Sequence, residues 1–360
     1  MPQTASMRDL AKALNLSLST VSRALRNDIN ISLENRERCQ RAAREMGYEA
    51  DASCARAYAQ LRVKRVHKER PVLGLITSFE REDQWHSYYA QFVRHVRARA
   101  AQLGYKVEPF PIKAPGISSR RLTTILSARG IEGLIIGPDL PSGSHLSLDF
   151  SHFASAMCCN IVWRPRLHRA EPHSHQNTLV AIRHLRKLGY RRIGFASFAG
   201  NHRSCGHQSE SAYYYAAATG IIREPIPVHI GKSFGGCEFI KWVKEFRPDA
   251  VLSSHPEATF GGLESLGLLP GENIGVASTG GVVPGLTNWA GINNHPDRVD
   301  GAVVELVVDQ INRNERGVPE HPRVVMVEGS WMNGPTVRDV RNREVQETPT
   351  RIAKPRRLSS

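Results

Sequence analysis

The 360-residue sequence predicts a small all-α helix-turn-helix head followed by a core of two similar α/β lobes. Capping residues divide the first fifty residues into three short helices. From residue 71 onward, short apolar runs alternate with longer helical segments, which is typical of parallel, doubly wound sheets. The alternation continues to residue 337, too far for one sheet of ordinary width. We therefore expect a helix-turn-helix head over 1–50, a hinge helix and linker over 51–70, a two-lobed core over 71–337 and a basic disordered tail over 338–360.

The first two helices of the head follow from their caps. Ser6 can cap a helix over Met7–Leu14, and Ser17 can cap a second helix over Leu18–Arg26. Asn15 between them is one of the few residues other than glycine that tolerate a left-handed turn. Apolar residues at helical spacing are expected to form the core of the head. They are Leu10, Ala11 and Leu14, then Val21 and Leu25.

The third helix begins after Ser32 and ends at Gly47, where glycine suits the residue that follows a helix. Glu34 in its first turn is favoured by the helix dipole. This helix is expected to turn Cys39, Ala42, Ala43 and Met46 inward.

Two helices joined by the short turn Asn15–Ser17 form a helix-turn-helix. The outward face of the second helix carries small hydroxyl side chains and then Arg23. Small hydroxyls let the backbone approach phosphates, and an arginine can bond guanine in a bidentate manner. A small helical bundle with a polar face is the alternative interpretation. The hydroxyl residues are Ser19, Thr20 and Ser22.

The charge distribution favours a polyanionic partner. The net charge is +14, and residues 1–70 hold 14 Lys and Arg against 8 Asp and Glu. Residues 71–337 hold 27 against 23 over nearly four times the length, and residues 338–360 hold 7 against 3. A basic end on a near-neutral body points to nucleic acid.

Composition excludes several classes of protein. With 41% hydrophobic and 23% charged residues, the chain has the composition of an ordinary globular protein. No apolar run approaches the ~18 residues of a membrane span, and the N-terminus lacks the apolar region of a secretory signal. The six cysteines show no CxxC spacing, so we expect reduced thiols in a cytoplasmic, nucleoid-associated protein with no membrane contact.

The string from Arg8 to Leu25, RDLAKALNLSLSTVSRAL, closely resembles the start of the lactose repressor (LacI/GalR) family. The resemblance continues through Ser32, Arg36, Ala42 and Gly47-Tyr48. It implies a sequence-specific DNA-binding regulator, a repressor, that binds double-stranded operator DNA as a homodimer. By this resemblance, base-reading positions are Leu18, Ser19 and Arg23, and positions near phosphate are Ser17, Thr20, Ser22 and Asn35.

The hinge segment departs from the family pattern. The family continues with Pro and Asn where this chain has Ala50 and Asp51, and the Ala-Arg pair comes one residue late. We expect a helix over 52–65 that carries Arg56 to phosphate. The minor-groove wedge is Tyr58, or Ala57 in the ungapped register.

The core is predicted from apolar runs of strand length and from helical periodicity between them. The predicted helices are Tyr88–Leu103, Asn177–Leu188 and Asp297–Asn312. The predicted strands are Val72–Thr77, Gly133–Gly137, Cys158–Val162, Arg192–Ser197, Ile226–Ile230, Ala250–Ser254, Ile274–Ser278 and Val324–Val327.

The core lacks the glycine-rich, nucleophile and zinc motifs of α/β enzymes, so neither an enzyme nor a cofactor is expected. His173, His175, His202 and His207 lack partners at metal-ligand spacing, and no metal is expected. The phrase Lys187–Gly194, with Ala290–Ile292 and Glu315–Pro319, resembles the periplasmic-binding-protein-like (type I) core of the same family.

A small-molecule effector, sugar-like by this resemblance, is expected in the cleft between the lobes, at the carboxyl ends of strands. The chain has His255-Pro256 and Gly280 where the family shows residues that grip sugar hydroxyls. A solute-binding receptor built on the same core is the alternative function. The candidate ligand-binding residues are Ser78, Trp85, Asp139, Trp163, Arg164, Arg203 and His255.

Overall fold

The computed structural model describes residues 5–25, 31–48, 70–112, 117–198, 206–232, 236–282 and 287–341. The chain divides into two compact units: Met1–Asn177, Ala199–Ser209 and Asn293–Ser330 form one, and Thr178–Phe198, Glu210–Ile292 and Trp331–Ser360 form the other. The first unit contains the head and a first lobe, which comprises the described residues from 70 to 177 and from 293 to 330. The described residues of the second unit form the second lobe. The predicted combination of an all-α head with two α/β lobes is confirmed.

The strands of the described residues are β1 (Val72–Thr77), β2 (Lys106–Pro111), β3 (Gly133–Ile136), β4 (Ser144–His145), β5 (Ala154–Cys158), β6 (Val162–Arg164), β7 (His168–Pro172), β8 (Ile193–Phe198), β9 (His229–Gly231), β10 (Ala250–Ser253), β11 (Gly275–Ser278), β12 (Ala290–Asn293), β13 (Val324–Val327) and β14 (Ser330–Met332).

The α-helices are α1 (Met7–Leu14), α2 (Leu18–Leu25), α3 (Leu33–Glu45), α4 (Ser87–Gln102), α5 (Ser119–Ala128), α6 (Ser174–Lys187), α7 (Gln208–Ala218), α8 (Cys237–Phe246), α9 (Pro256–Glu264) and α10 (Pro296–Arg313). None of those in the described part of the chain is both long and apolar enough to cross a membrane.

The head packs its three helices around a core in which Leu10, Val21, Ala24 and Cys39 are fully buried. The predicted caps are present, since the Ser6 hydroxyl accepts a hydrogen bond from the Asp9 amide at 3.3 Å. One inward assignment was wrong, since Met46 is exposed because α3 ends one residue before it. Leu25 is half-buried and packs against this core beside the fully buried Ala24.

The two lobes contain similar sheets of six strands. Neighbours are parallel from β13 through β7, β5, β3 and β1 to β2 in the first lobe. In the second lobe the order is β14, β12, β11, β10, β8 and β9, with parallel pairing from β12 to β9. Parallel strands place their carboxyl ends at one edge of each sheet, and this edge carries the polar residues considered below.

Two predicted strands were placed wrongly. The run predicted as Cys158–Val162 contains the end of β5 and a turn at Cys159, whose φ is +59°. The run Ile226–Ile230 yields only β9, because the buried Tyr213 hydroxyl donates to the Ile226 carbonyl at 2.8 Å and draws that backbone out of the sheet. The strands β2 and β7 were missed, since both are rich in charged residues or proline.

The first four residues of the expected tail belong to the second lobe. The Val340 amide donates to the Leu188 carbonyl at 2.8 Å, and the Arg338 amide donates to the Tyr190 hydroxyl at 3.2 Å. Val340 also packs against the apolar core of that lobe. The expectation of a disordered tail therefore concerns 342–360, which lie outside the described residues.

Asn177 joins separate stretches of the first unit near the points where the chain passes between units. Its side-chain amide donates to the Asn294 side-chain carbonyl at 2.9 Å, and its own carbonyl accepts from the Gly329 amide at 2.8 Å. The residue is 1% exposed. The Asn177 side chain thus links three chain segments: α6, the residues between β12 and α10, and the residues after β13.

We expect Asn177→Ala to destabilise the protein by about 1–3 kcal/mol, because it removes two hydrogen bonds, one to the half-buried Asn294 side chain and one from the half-buried Gly329 amide. The measurement is chemical denaturation of the full chain. Gln176→Ala, one position earlier on the same helix, is the matched control and should change the unfolding midpoint little. An unchanged midpoint for the Asn177 variant would mean that water replaces its hydrogen bonds.

Candidate nucleic-acid interface and ligand site

The start of α2 is a cluster of three hydroxyl groups. The Ser17 hydroxyl accepts from the Thr20 amide at 3.1 Å and so caps the helix as predicted. It also lies 2.8 Å from both the Ser19 and the Thr20 hydroxyls. The first turn of α2 contains no acidic side chain, so the positive end of the helix dipole is not neutralised there. This end of α2 suits an anionic group such as a phosphate.

The turn before α2 has the geometry that the sequence predicts. Asn15 adopts φ 52° and ψ 44°, in the left-handed region. The Leu16 amide then donates to the Ala11 carbonyl at 3.0 Å, and the Arg38 guanidinium donates to the Leu14 carbonyl at 3.1 Å. The left-handed residue and these two bonds close the end of α1 and fix the direction of α2.

The face of α2 that the head does not bury presents Ser19 and Arg23. Val21 and Ala24 are fully buried on the opposite side. Leu18 is 45% exposed although it is apolar, and both Ser19 and Arg23 are exposed. An exposed leucine at the start of such a helix can contact a thymine methyl group. Because of this burial pattern, the solvent-exposed face of α2 carries an apolar, a hydroxyl and a cationic side chain.

The remaining predicted DNA-contacting residues fall in two groups. Ser22 and Asn35 are half-buried, and the Asn35 amide donates to the Ser32 hydroxyl that caps α3 at 3.4 Å. The hinge residues Arg56 and Tyr58 lie outside the described residues.

In the first lobe, Asp139 organises the carboxyl ends of β1 and β3. Its Oδ2 atom accepts from the Thr77 hydroxyl at 2.9 Å, from the Ser78 amide at 2.5 Å and from the Ser78 hydroxyl at 2.7 Å. These two strands are neighbours in the sheet, which explains why residues 61 positions apart meet. The predicted pair of Ser78 and Asp139 is thus brought together.

Two polar atoms beside this cluster have no hydrogen-bond partner among the residues that the structure describes. They are Asp139 Oδ1 and the hydroxyl of the fully buried Tyr89. Both lie next to Gly137, where a Cβ atom would come within 2.6 Å of Asp139 Oδ1 and 3.2 Å of the Tyr89 oxygen. Burial, reinforced by the Asp139 charge, raises the pKa of Tyr89, which therefore stays a neutral hydroxyl. The pair offers a carboxylate acceptor and a hydroxyl to a ligand group.

Aromatic rings line the same place. The ring centroids of Phe79 and Tyr89 are 4.9 Å apart, and those of Trp85 and Tyr89 are 5.5 Å apart. The Arg97 guanidinium lies 5.4 Å from the Trp85 ring centroid and covers one of its faces. Trp85 therefore joins Ser78 and Asp139 as predicted, beside an aromatic wall that suits an apolar ring face.

The second lobe has a comparable polar edge where β8, β10 and β11 end. The Ser197 and Ser254 hydroxyls are 3.1 Å apart, and His255 Nδ1 lies 3.3 Å from the Ser254 hydroxyl. Burial lowers the pKa of His255, so its ring is neutral at pH 7 and can both donate and accept a hydrogen bond. Sequence reasoning identified His255 but missed its serine neighbours. These are Ser197, Ser253, Ser254 and Ser278, all buried at strand ends.

The other predicted ligand residues lie elsewhere. Trp163 and Arg164 belong to β6, which pairs with β4 in a separate two-stranded sheet. Arg164 lines a groove of about 780 Å³ with residues 145–151 and 316–318 of the first unit. Trp163 is 48% exposed beside Gly143. Arg203 lies outside the described residues.

Comparison with known proteins agrees with this geometry. Residues 6–51 match the family model described as "Bacterial regulatory proteins, lacI family". The match lies in the head and shows its similarity to the LacI family. The resemblance noted in the sequence is thereby confirmed, and the matched segment contains all three helices of the head.

The similarity to known proteins extends beyond the head. The chain is 25% identical over 224 residues to the HTH-type transcriptional repressor CytR of Escherichia coli (strain K12), a match that covers 61% of this chain and 62% of CytR. The fold is similar to that of the Lac repressor dimer bound to operator and the anti-inducer ONPF, with a TM-score of 0.55, 17% identity and coverage of 93% and 99% of the two chains. A complex of the regulator CelR with cellobiose gives a TM-score of 0.51 at 17% identity, with coverage of 93% and 99%.

Proposed function

We propose that this protein is a sequence-specific DNA-binding transcriptional regulator, a repressor, whose affinity for operator DNA is controlled by a small molecule bound to its α/β core. The proposal assigns it no catalytic role and places its action at the nucleoid. The observation that carries the proposal is the solvent-exposed face of α2, with Leu18, Ser19 and Arg23 on a helix whose start is capped by a hydroxyl group.

The relatives support this proposal through what their names state. CytR is a transcriptional repressor, and the Lac repressor was solved as a dimer on its operator. CelR was solved with a sugar, cellobiose. In this chain the same class of architecture carries a basic head and polar strand ends, which are the features that DNA and a polar effector require.

We expect Arg23→Ala to reduce the preference for operator over scrambled DNA by about 1–3 kcal/mol, because a bidentate contact to guanine is lost. Fluorescence anisotropy at a fixed salt concentration measures both affinities. Operator fragments can be selected from random sequence with the full chain.

Arg44→Ala is the matched control for that comparison. It removes the same charge from the last turn of α3, outside the solvent-exposed face of α2. It should weaken both DNAs about equally and leave their ratio unchanged. If Arg23→Ala behaves in the same way, Arg23 contacts only phosphate.

We also propose that the α/β core holds two heads as a homodimer, since one head has too small a surface to select an operator and two-fold operators match two-fold proteins. The chain from 70 to 341, which excludes the head, should form a dimer at micromolar concentration and should not bind operator DNA. Sedimentation equilibrium provides the test. A monomeric core with a dimeric full chain would place the dimer contacts outside the core.

For the effector we propose a molecule with several hydroxyl or amine groups. Asp139 Oδ1 and the Tyr89 hydroxyl lack partners in the first lobe, and the strand ends of the second lobe present serine hydroxyls and a neutral histidine. Such groups recognise donors and acceptors in a polar ligand.

A thermal-shift screen of monosaccharides, disaccharides and nucleosides should identify compounds that stabilise the full chain. Asp139→Ala should abolish the shift for those compounds, because it removes the acceptor for their donor group. Asp149→Ala, at an exposed carboxylate that accepts from the Ser151 amide, is the control and should preserve the shift. An undiminished shift in the Asp139 variant would place the effector elsewhere.

A further inference from the structure

Two adjacent cysteines lie where β5 ends in the first lobe: Cys158 is the last residue of the strand, and Cys159 follows it. Neither has a role in the proposed regulatory function. Cys158 is 2% exposed, whereas Cys159 is half-buried and is the accessible member of the pair. Their sulfur atoms are 3.8 Å apart. Cys159 adopts a φ of +59°, a conformation that is costly for a residue other than glycine, asparagine or aspartate. Such backbone strain is concentrated at functional sites.

A carboxylate and a histidine support the buried thiol. The Cys158 thiol points to Asp300 Oδ1 at 3.9 Å, and His95 Nδ1 lies 2.8 Å from Asp300 Oδ2. Contact with Cys159, burial and the nearby Asp300 charge all raise the pKa of Cys158, so this sulfur keeps its proton. Burial also raises the pKa of Asp300, which prepares this carboxylate to accept a proton.

The sulfur separation distinguishes between two kinds of thiol chemistry. A disulfide requires the sulfurs to approach to about 2.05 Å, far closer than they stand. A single pyramidal atom bonded to both sulfurs at about 2.3 Å, with an S–atom–S angle of about 100°, spans about 3.5 Å. The two sulfurs can therefore be bridged by one atom of a thiophilic ligand after a movement of only about 0.3 Å.

The number of protein side chains near the two sulfurs narrows the class of thiophilic ligand further. Among the residues that the structure describes, no three His, Cys, Asp or Glu side chains are arranged to hold a metal ion. Zinc in a structural site takes four protein ligands. A trivalent organoarsenical needs only two sulfur ligands, since its third bond is already made to carbon.

We propose that Cys158 and Cys159 form a binding site for trivalent organoarsenicals of the type R–As=O. Two As–S bonds form, the As=O bond is lost, and the two thiol protons leave with the oxygen as one water molecule. Arsenic stays trivalent, so the step needs no oxidant or reductant. Cys159 makes the first bond because it is accessible, and Asp300 receives the Cys158 proton before it passes to the departing oxygen.

Phenylarsine oxide is the probe for this site in the full chain. Mass spectrometry under native conditions should show one phenylarsenic group per chain, retained in excess 2-mercaptoethanol and removed by 2,3-dimercaptopropanol. Cys158→Ala and Cys159→Gly should each lower the retention by about a hundredfold, because a single thiol lacks the effective concentration of a linked pair. Glycine at 159 also suits the left-handed backbone. Retention equal to wild type in either variant would overturn the proposal.

Controls address three of the other four cysteines, and a thiol count on the unsubstituted chain avoids any effect of a variant on the fold. Cys237→Ser, at an exposed thiol, and the double variant Cys54→Ser with Cys205→Ser should keep the adduct. In the unsubstituted chain, each bound arsenic should remove two thiols from those counted by Ellman's reagent immediately after denaturation. A loss of one thiol, or release of the label by the monothiol, would overturn the proposal without any variant. The result does not depend on DNA binding, so the regulatory proposal is tested separately.

Discussion

The fold of the first lobe depends on a helix that lies, in sequence, after most of the second lobe. The helix α10 follows β12 of the second lobe, yet it packs on the sheet of the first lobe, where Val303, Val304 and Val307 are buried. Gln310 on the same helix bonds both the amide and the carbonyl of Ser155 in β5, each at 3.2 Å. Without this helix, only α4 would cover that face of the sheet, and parallel sheets need both faces covered.

This discontinuity limits what local sequence can predict. The helix over 297–312 is readable from its periodicity, and its observed bounds differ from the prediction by one residue at each end. The sequence does not reveal which sheet this helix packs on, because its contacts with β5, which lies 155 positions earlier at Ser155, leave no local signal. The same limit applies to the strands that were missed. In β7, Glu171 is buried because Arg169 bonds it at 2.9 Å, and an ion pair of that kind breaks the apolar pattern that identifies a buried strand.

The head is predictable for the opposite reason. Its helices are fixed by neighbours in sequence: Ser6, Asn15 and Ser17 each act within a few residues. Six buried side chains form the core of the head, and they determine which face of α2 points outward. The proposed DNA-contact residues on that face follow directly from the sequence pattern. The proposed ligand residues do not, since the meeting of Ser78 with Asp139 depends on the order of strands in the sheet.

The edge of the first sheet brings together the two proposed activities of the first lobe. Ser78, Asp139 and Cys159 all follow the carboxyl ends of β1, β3 and β5, which are consecutive neighbours. The proposed polar ligand would be recognised there by Asp139 Oδ1 and the Tyr89 hydroxyl, which have no hydrogen-bond partner among the described residues, whereas the dithiol lies at a strained turn beside a buried carboxylate. Because β3 and β5 pair in register from Gly133 to Ile136, the strand that carries Cys158 is hydrogen-bonded to the strand that precedes Asp139. The two proposed sites therefore lie on adjacent strands of one parallel sheet.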